Sequence, residues 1–228
     1  MALSVVGRVL GTVPAGLRLE GHADIDALLA MAKARGVSAQ GEMFSCHALA
    51  ELGRDAYALD TAVVAVPPAT TAAGRKQWAQ WLRDGHLLLV PYDRDKDHRP
   101  CRVNGQQAHW FLVKGLAAPT AGPAPASSAA DDAEPPAFAW QEVAGDDDGA
   151  LAEAAAAAAP DDVYVVGLHG KSRHQAVWRL ADLVASNAQL HEPSFEVLAT
   201  PSEYVFQPGL HELRGWAVLV RRRRNPAV

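Results

Sequence analysis

Short apolar runs behind a helical first third restrict the fold of this chain more than any other feature of its sequence. Each run is continuous and ends at a proline, a glycine or polar residues, a pattern typical of buried strands. We predict a strand in each run, with the strands forming an antiparallel sheet, and one helix at about 179–186 between the third and fourth strands. The runs are residues 86–90, 109–113, 162–168, 203–207 and 215–220.

Helical periodicity marks the residues before the first run. Apolar residues recur at helical spacing in 24–36, where Asp24 stands at the N-cap position and Gly36 just past the end. The segments 45–53 and 70–85 have the same pattern, and each also ends at a glycine. Helices that come before an antiparallel sheet predict the α+β class.

A low-complexity segment separates the second predicted strand from the third. Residues 116–160 consist mostly of alanine, proline, serine and aspartate, so most of the segment cannot bury enough apolar surface to order itself. We therefore predict a disordered insertion in a surface loop, with Trp140 anchoring a short piece of it. The whole of residues 1–228 is expected to form a single domain that carries this insertion and a basic C-terminal tail at 221–228.

Charge and cysteine content exclude several classes of protein. A formal net charge of −5 is not that of a dedicated nucleic-acid binder. No stretch of about 18 strongly apolar residues occurs, so we expect no membrane span, and the first residues lack the cleavage site of a signal peptide. Two cysteines, Cys46 and Cys101, are too few for a disulfide framework, which predicts a reducing, cytoplasmic location.

A histidine opens the second predicted strand. His109 precedes Trp110 at the start of an apolar run, and helices followed by such a sheet resemble the layout of papain-like cysteine peptidases. In those enzymes the imidazole activates a cysteine at the start of a helix, and a third group on the neighbouring strand orients the ring. That group is expected near the end of the third strand, around His169 to Ser172. The alternative is a histidine that only packs beside Trp110.

Three longer motifs extend this interpretation. They are "QGEMFS" at 40–45, "LLLVPYDRDKDHRPCRVNGQQAHW" at 87–110 and "GKSRHQAVWRLADLVASNAQL" at 170–190. Their residues and their order resemble the actin maturation protease family, cysteine aminopeptidases that trim the N-terminus of newly made actin. The resemblance covers most of the chain outside the insertion. It implies actin as the substrate or partner, and no cofactor or metal.

The resemblance places the family's catalytic histidine at His109. The family's nucleophilic cysteine stands just before a helix whose counterpart in this chain is "MALSVVG", so we expect it upstream of Met1, outside this sequence. Whether this chain alone is an enzyme therefore stays open. One hypothesis is a cysteine aminopeptidase, of which this chain is a truncated form, that removes the acetylated N-terminal residue of immature actin. The other is a catalytically inactive actin-binding pseudoprotease.

Four further side chains are candidates for supporting roles. Cys46, in the first turn of its helix, is a candidate substitute nucleophile, with packing as the alternative. Asn187 is a candidate orienting residue besides His169, with a cap or turn as the alternative. The resemblance implies a substrate that begins with methionine or cysteine followed by acidic residues. Lys171 and Arg173 would attract that acidic segment, with a solvated basic turn as the alternative.

The acidic stretch after the first strand predicts a shaped loop rather than a metal site. Asp93, Asp95 and Asp97 have the spacing of a calcium loop only superficially, because glycine is missing from the sixth loop position and glutamate from the twelfth. Cys101 and His98 are too few to form a metal site by themselves. We expect this loop to lie beside the active site.

Overall fold

The computed structural model describes residues 2–11, 23–119, 138–142, 149–170, 174–206 and 210–223. The helices in these residues are α1 (Ala2–Leu10), α2 (Ala23–Ala34), α3 (Cys46–Tyr57), α4 (Ala72–Arg83), α5 (Ala150–Ala157), α6 (Leu180–Ala188) and α7 (Phe195–Ala199). The strands are β1 (Leu59–Ala65), β2 (Leu87–Arg94), β3 (Pro100–Cys101), β4 (Ala108–Pro119), β5 (Phe138–Glu142), β6 (Tyr164–Leu168), β7 (Ala176–Arg179) and β8 (Trp216–Arg222).

All these strands belong to one antiparallel sheet. Its order is β1-β8-β2-β4-β6-β7, while β3 pairs with β2 and β5 pairs with β4. The first helices precede this sheet in the chain, which confirms the α+β class. Four of the five predicted strands are present as β2, β4, β6 and β8, and the helix predicted at 179–186 is α6.

The strand predicted at 203–207 is wrong. Its first residue ends a 3₁₀ turn at Pro201–Glu203, and Tyr204 to Phe206 join no strand. The backbone N–H of Val205 donates to the Glu42 carboxylate at 2.8 Å instead of to a neighbouring strand. The residue pattern is that of a strand. The N–H that would have donated to a neighbouring strand donates to a distant side chain instead.

Four strands of the sheet, β1, β3, β5 and β7, were not predicted, and one predicted cap also differs. The sequence patterns did not indicate β1, which pairs with β8 at the edge of the sheet, or β7, which pairs with β6. The second helix begins at Ala23, so Asp24 lies inside its first turn rather than at the N-cap. Ser45 caps α3, because its Oγ accepts from the backbone N–H of Ala48 at 3.0 Å.

The core has two halves, one on each face of the sheet. Side chains alternate along β2, so Leu87 and Leu89 pack with α1, α2 and α3, whereas Leu88 and Val90 pack on the other face. The second half includes side chains of α4, α5 and α6. Because both faces of β2 are covered, this strand reads as a continuous apolar run.

The predicted insertion is ordered at both ends. β4 continues through residues 116–119, where Leu116 and Ala118 are fully buried, and α5 lies within the segment that we expected to be disordered. Trp140 lies on β5, opposite Ala117 of β4. Residues 120–137 and 143–148 lie outside the described residues.

A buried arginine explains why the alanine-rich α5 packs on the domain. Arg75 of α4 donates from Nε to the Ala155 carbonyl at 2.8 Å and from Nη2 to the Ala156 carbonyl at 2.9 Å. These carbonyls belong to the last turn of α5, where a helix has unsatisfied acceptors and partial negative charge. No helix in the described ranges is long and apolar enough to span a membrane.

Candidate active site

His109 lies at the start of β4, and the neighbouring strand β6 ends close to it. Its backbone pairs with Tyr92 of β2, and its half-buried imidazole reaches toward the residue that follows β6. The Nε2 atom lies 2.9 Å from the backbone carbonyl oxygen of His169. In the tautomer that makes this hydrogen bond, Nε2 carries the proton and Nδ1 has the basic lone pair. The ring is therefore oriented with Nδ1 as the nitrogen that can accept a proton.

The backbone of His169 supplies the carbonyl oxygen that contacts the His109 ring. The His169 ring is almost buried and stacks on the His98 ring, with the ring centroids 4.6 Å apart. The sequence pattern predicted that a residue near His169 would contact His109, because position 169 follows the neighbouring strand. In the structure His169 lies directly after β6, as predicted. The contact uses a carbonyl oxygen, which any residue at this position would supply.

His109 lines two cavities of different character. One has a volume of about 400 Å³ and mostly apolar walls, which include Leu3 and Val5 of α1 and Leu28 of α2. The other has a volume of about 230 Å³ and mostly polar walls, which include Arg94. The residues common to both cavities are Phe44, Ala108 and His109. The imidazole therefore stands at the junction of the two cavities.

The first of the three motifs forms one wall of the apolar cavity. The Trp110 indole N–H donates to the Met43 carbonyl at 3.1 Å, which ties this motif to the residue after His109. Glu42 accepts from the backbone N–H groups of Ala39 and Val205. Partial burial raises the pKa of the Glu42 carboxyl, but the hydrogen bonds from Val205, Ala39 and Gln40 hold it below its usual value.

A buried carboxylate shapes the loop before His109. Asp93 is fully buried and accepts from the backbone N–H groups of Val103 at 3.2 Å, Gly105 at 2.7 Å and Gln107 at 2.9 Å. The Gln189 side-chain amide donates to it at 2.5 Å. The sequence predicts a shaped loop at this place but does not single out Asp93 as its organiser. The sequence feature that could have identified Asp93 is its position directly after an apolar run. A carboxylate buried there needs several hydrogen-bond donors.

Asn187 is a structural clamp and does not orient His109. It is fully buried, and its Nδ2 group donates to the carbonyls of Pro91 and Leu213 at 2.9 and 3.2 Å. Its Oδ1 accepts from the backbone N–H of Gly215 at 3.0 Å. These bonds connect α6 to the end of β2 and to the start of β8. Because the amide bonds to backbone groups, its function is to hold these elements together.

Cys46 has the environment of a core residue. It is fully buried at the start of α3 and lines neither cavity. Burial raises the pKa of its thiol, and the nearby Glu212 carboxylate raises it further. A reactive cysteine needs the opposite, a lowered pKa and access to substrate. This environment disfavours Cys46 as a substitute nucleophile.

The Asp95 side chain holds the tip of the acidic loop through two backbone N–H groups. Asp95 accepts from the N–H groups of Asp97 and Arg99 at 2.8 Å each, as in an Asx turn. Cys101 is half-buried, and burial together with Asp93 raises the pKa of its thiol. Within the described residues, no group of His, Cys, Asp and Glu side chains could hold a metal ion. Lys171 and Arg173 lie outside the described residues, although Gly170 lines the apolar cavity.

Comparisons with known proteins identify the family. A family model described as "Actin maturation protease-like, C-terminal domain" matches residues 2–117, just over half of the chain. This match contains the motifs at 40–45 and 87–110, and it extends across α1 to β4. No solved structure matches the chain significantly.

Curated relatives match a longer part of the chain. "Actin maturation protease" of Mus musculus is 31% identical over 199 residues, 86% of this chain and 54% of the relative. The protein of that name from Bos taurus is 31% identical over 88% of this chain and 57% of its own length, and that from Drosophila melanogaster is 30% identical over 90% and 61%. The chain thus spans little more than half the length of these relatives. The family resemblance is confirmed, and the chain belongs to the actin maturation protease-like family.

Proposed function

We propose that the protein containing this chain is a papain-like cysteine aminopeptidase that removes the acetylated N-terminal residue of immature actin. The observation that carries the proposal is the position of His109 at the junction of an apolar and a polar cavity. A peptide bond held beside this ring would have an apolar residue on one side and a polar residue on the other. The N-terminus of immature actin has this order.

The two cavities fit the two sides of the scissile bond. A methionine or cysteine side chain fits the apolar cavity, whose size is in the range of small-ligand sites. The acidic second residue fits the polar cavity, where Arg94 supplies a half-buried positive charge. Glu196 also lines this cavity, but its side chain is exposed and its charge is screened by solvent. Lys171 and Arg173 would add positive charge near Gly170 and steer the acidic segment toward the site.

His109 acts as the general base and then as the general acid. Its Nδ1 takes the proton from a cysteine thiol, and the thiolate attacks the carbonyl carbon of the acetylated residue. His109 then gives the proton to the leaving amine, which becomes the new N-terminus of actin. Water attacks the thioester with His109 as base, which releases the acetylated residue and restores the free thiol. The His169 carbonyl holds the ring in one orientation throughout.

The nucleophile is expected to come from a segment upstream of α1. Leu3 and Val5 of α1 line the apolar cavity together with His109. Because a residue of extended chain spans about 3.5 Å, a cysteine directly before this helix would lie near the cavity. We further expect a cytoplasmic location, where the thiol stays reduced.

A catalytically inactive actin-binding pseudoprotease is the second candidate. The observation that favours it is that neither Cys46 nor Cys101 lines a cavity with His109. A pseudoprotease would keep both cavities as a binding site for the N-terminal segment of actin. It would bind that segment without releasing a product.

A peptide assay separates the two candidates. The native protein is incubated with a short peptide that begins acetyl-Met-Asp, and the mass of the peptide is followed. Loss of one acetylated methionine supports the protease. An uncut peptide that binds supports the pseudoprotease, and an uncut peptide that does not bind overturns both.

A further inference from the structure

The apolar cavity beside His109 is larger than a methionine side chain requires. Its volume is about 400 Å³. A cavity of about 150 Å³ holds one benzene molecule, so about 400 Å³ has room for roughly 16 non-hydrogen atoms at the same density. An acetyl group and a methionine side chain together have about seven such atoms. The acetylated first residue assigned to this cavity would therefore fill less than half of it.

The additional space lies among the side chains of the core. The walls of the cavity include Leu28 of α2, Leu49 and Leu52 of α3, and Leu89 of β2, all of which are buried. These side chains belong to the half of the core that joins α1, α2 and α3 to the sheet. Because its walls are core side chains, the cavity is formed before a ligand enters.

The polar groups on the wall of this cavity bond within the protein itself. The Glu42 carboxylate accepts from the backbone N–H groups of Ala39 at 2.7 Å and Val205 at 2.8 Å. The Trp110 indole N–H donates to the Met43 carbonyl at 3.1 Å. The wall therefore offers mainly apolar contacts to a bound residue. A hydrophobic pocket of this kind separates apolar side chains by whether they fit, and not by a specific hydrogen bond.

One small side chain stands among the α2 residues on this wall. Ala32 is 4% exposed and lines the cavity together with Ile25, Leu28 and Leu29. Ala32 lies one turn after Leu28 and Leu29 and therefore shares their face of the helix. A larger side chain at position 32 would enter the cavity and reduce its volume. The size of this residue thus sets how much space a bound first residue has.

We propose that the apolar cavity accepts large apolar first residues, up to the size of tryptophan, and that Ala32 is the residue that sets this limit. This inference rests on the proposed function, because the occupant is the acetylated first residue of the substrate. The substrate class is N-acetylated segments with a large apolar first residue and an acidic second residue. An acetyl group and a tryptophan side chain have about 13 non-hydrogen atoms, within the roughly 16 that the cavity holds.

Replacing Ala32 by phenylalanine should narrow this specificity. The added ring has the size of a benzene molecule, so the variant keeps about 250 Å³, with room for roughly ten non-hydrogen atoms. Acetylated methionine still fits this space, whereas acetylated tryptophan exceeds it. Forcing extra atoms into a filled space displaces side chains and backbone, which weakens binding.

The test measures the Kd of two short peptides, which begin acetyl-Met-Asp and acetyl-Trp-Asp, by titration calorimetry. We expect the native protein to bind the tryptophan peptide no more than about fivefold more weakly than the methionine peptide. In Ala32→Phe, the Kd of the tryptophan peptide should rise at least about tenfold, and that of the methionine peptide should stay within about threefold. Ala34→Phe is the control, because Ala34 is exposed on the same helix and lines neither cavity.

Binding needs no nucleophile, so these Kd values test the inference separately from the proposed function. A native protein that binds the tryptophan peptide more than about fivefold more weakly than the methionine peptide, or that binds neither peptide, would overturn the inference. So would an Ala32→Phe variant that is folded, as shown by thermal unfolding, and binds both peptides like the native protein. The comparison on the native protein decides the question even if the variant does not fold. Cleavage is followed in the same samples, and uncut peptides with the expected Kd values would remove the protease and keep this specificity.

Discussion

The ring of His109 is oriented by the backbone of His169, with 2.9 Å between Nε2 and the carbonyl oxygen. The two residues are 60 positions apart, and the sheet brings them together because β4 pairs with β6 up to Leu112 and Leu168. The orientation of the candidate base therefore depends on strand register. The side chain at position 169 contributes its packing on His98.

The charge of Arg94 should determine the preference for an acidic second residue. We expect Arg94→Glu to lower kcat/KM about fivefold for a peptide with Asp at the second position, and to raise it for a peptide with Lys there. The exposed Arg102→Glu, in the neighbouring loop and lining neither cavity, is the control. Steady-state kinetics on both peptides checks this. The same preference in wild type and Arg94→Glu would show that Arg94 does not read the second residue.

The Asp93 carboxylate should stabilise the fold far more than its neighbour Asp95. In Asp93→Asn, an amide NH₂ group faces backbone N–H donors, so at least one buried donor loses its acceptor. We expect a loss of about 2–4 kcal/mol in the free energy of unfolding, measured in urea. Asp95→Asn, in the half-exposed turn, should cost about 1 kcal/mol or less. Equal losses for the two variants would contradict the role of Asp93 as the organiser of the loop.

Gly105 should not tolerate alanine. Its φ is +96°, and a Cβ atom would lie 2.2 Å from the Glu192 carbonyl oxygen. Gly85 has a similar φ of +81° but no atom within 4 Å of such a Cβ, so Gly85→Ala carries only the backbone strain of about 1 kcal/mol. Gly105→Ala should lower the free energy of unfolding by about 2 kcal/mol more than Gly85→Ala does, as measured by thermal unfolding. A smaller loss at Gly105 would mean that the loop moves freely away from Glu192.

Glu42 should make stability depend on pH in the acid range. Its pKa is lower in the folded chain than its usual value, so its stabilising contribution is present above the unfolded-state pKa and is lost as the pH falls through the folded pKa. The difference in free energy of unfolding between wild type and Glu42→Gln should therefore be largest near neutral pH and shrink below about pH 4. The exposed Glu51→Gln serves as the control. A difference that stays constant between neutral and acid pH would refute this contribution.

The elements that the sequence predicted correctly are those whose signals are local. The apolar runs of β2, β4, β6 and β8 and the periodicity of α2 are visible in short windows, and so is the histidine that opens β4. The length of the strands was underestimated for β4, because its continuation through residues 116–119 has the composition of a loop. Residues 116–119 form a strand because they are buried against other elements.

The parts that the sequence did not predict depend on distant partners. The α5 helix is alanine-rich, and its docking requires Arg75, 80 residues away from Ala155 in the chain. The Val205 N–H bonds to Glu42, which removes it from any strand. The contact to His109 uses a backbone carbonyl. Every residue has a backbone carbonyl, so the residue type does not indicate this contact. Family resemblance identified His109, but only the three-dimensional structure shows what holds it.

Product mass with His109 replaced tests the central claim most directly. The native protein, His109→Ala, His169→Ala and Cys46→Ser are each incubated with the acetyl-Met-Asp peptide, and release of acetylated methionine is followed by mass spectrometry. We predict that His109→Ala lowers kcat by about 10²- to 10⁴-fold with little change in KM. His169→Ala and Cys46→Ser should keep most of the activity, because a carbonyl remains at 169 and Cys46 lines neither cavity. A rate unchanged by His109→Ala would contradict the assignment of this histidine as the catalytic base.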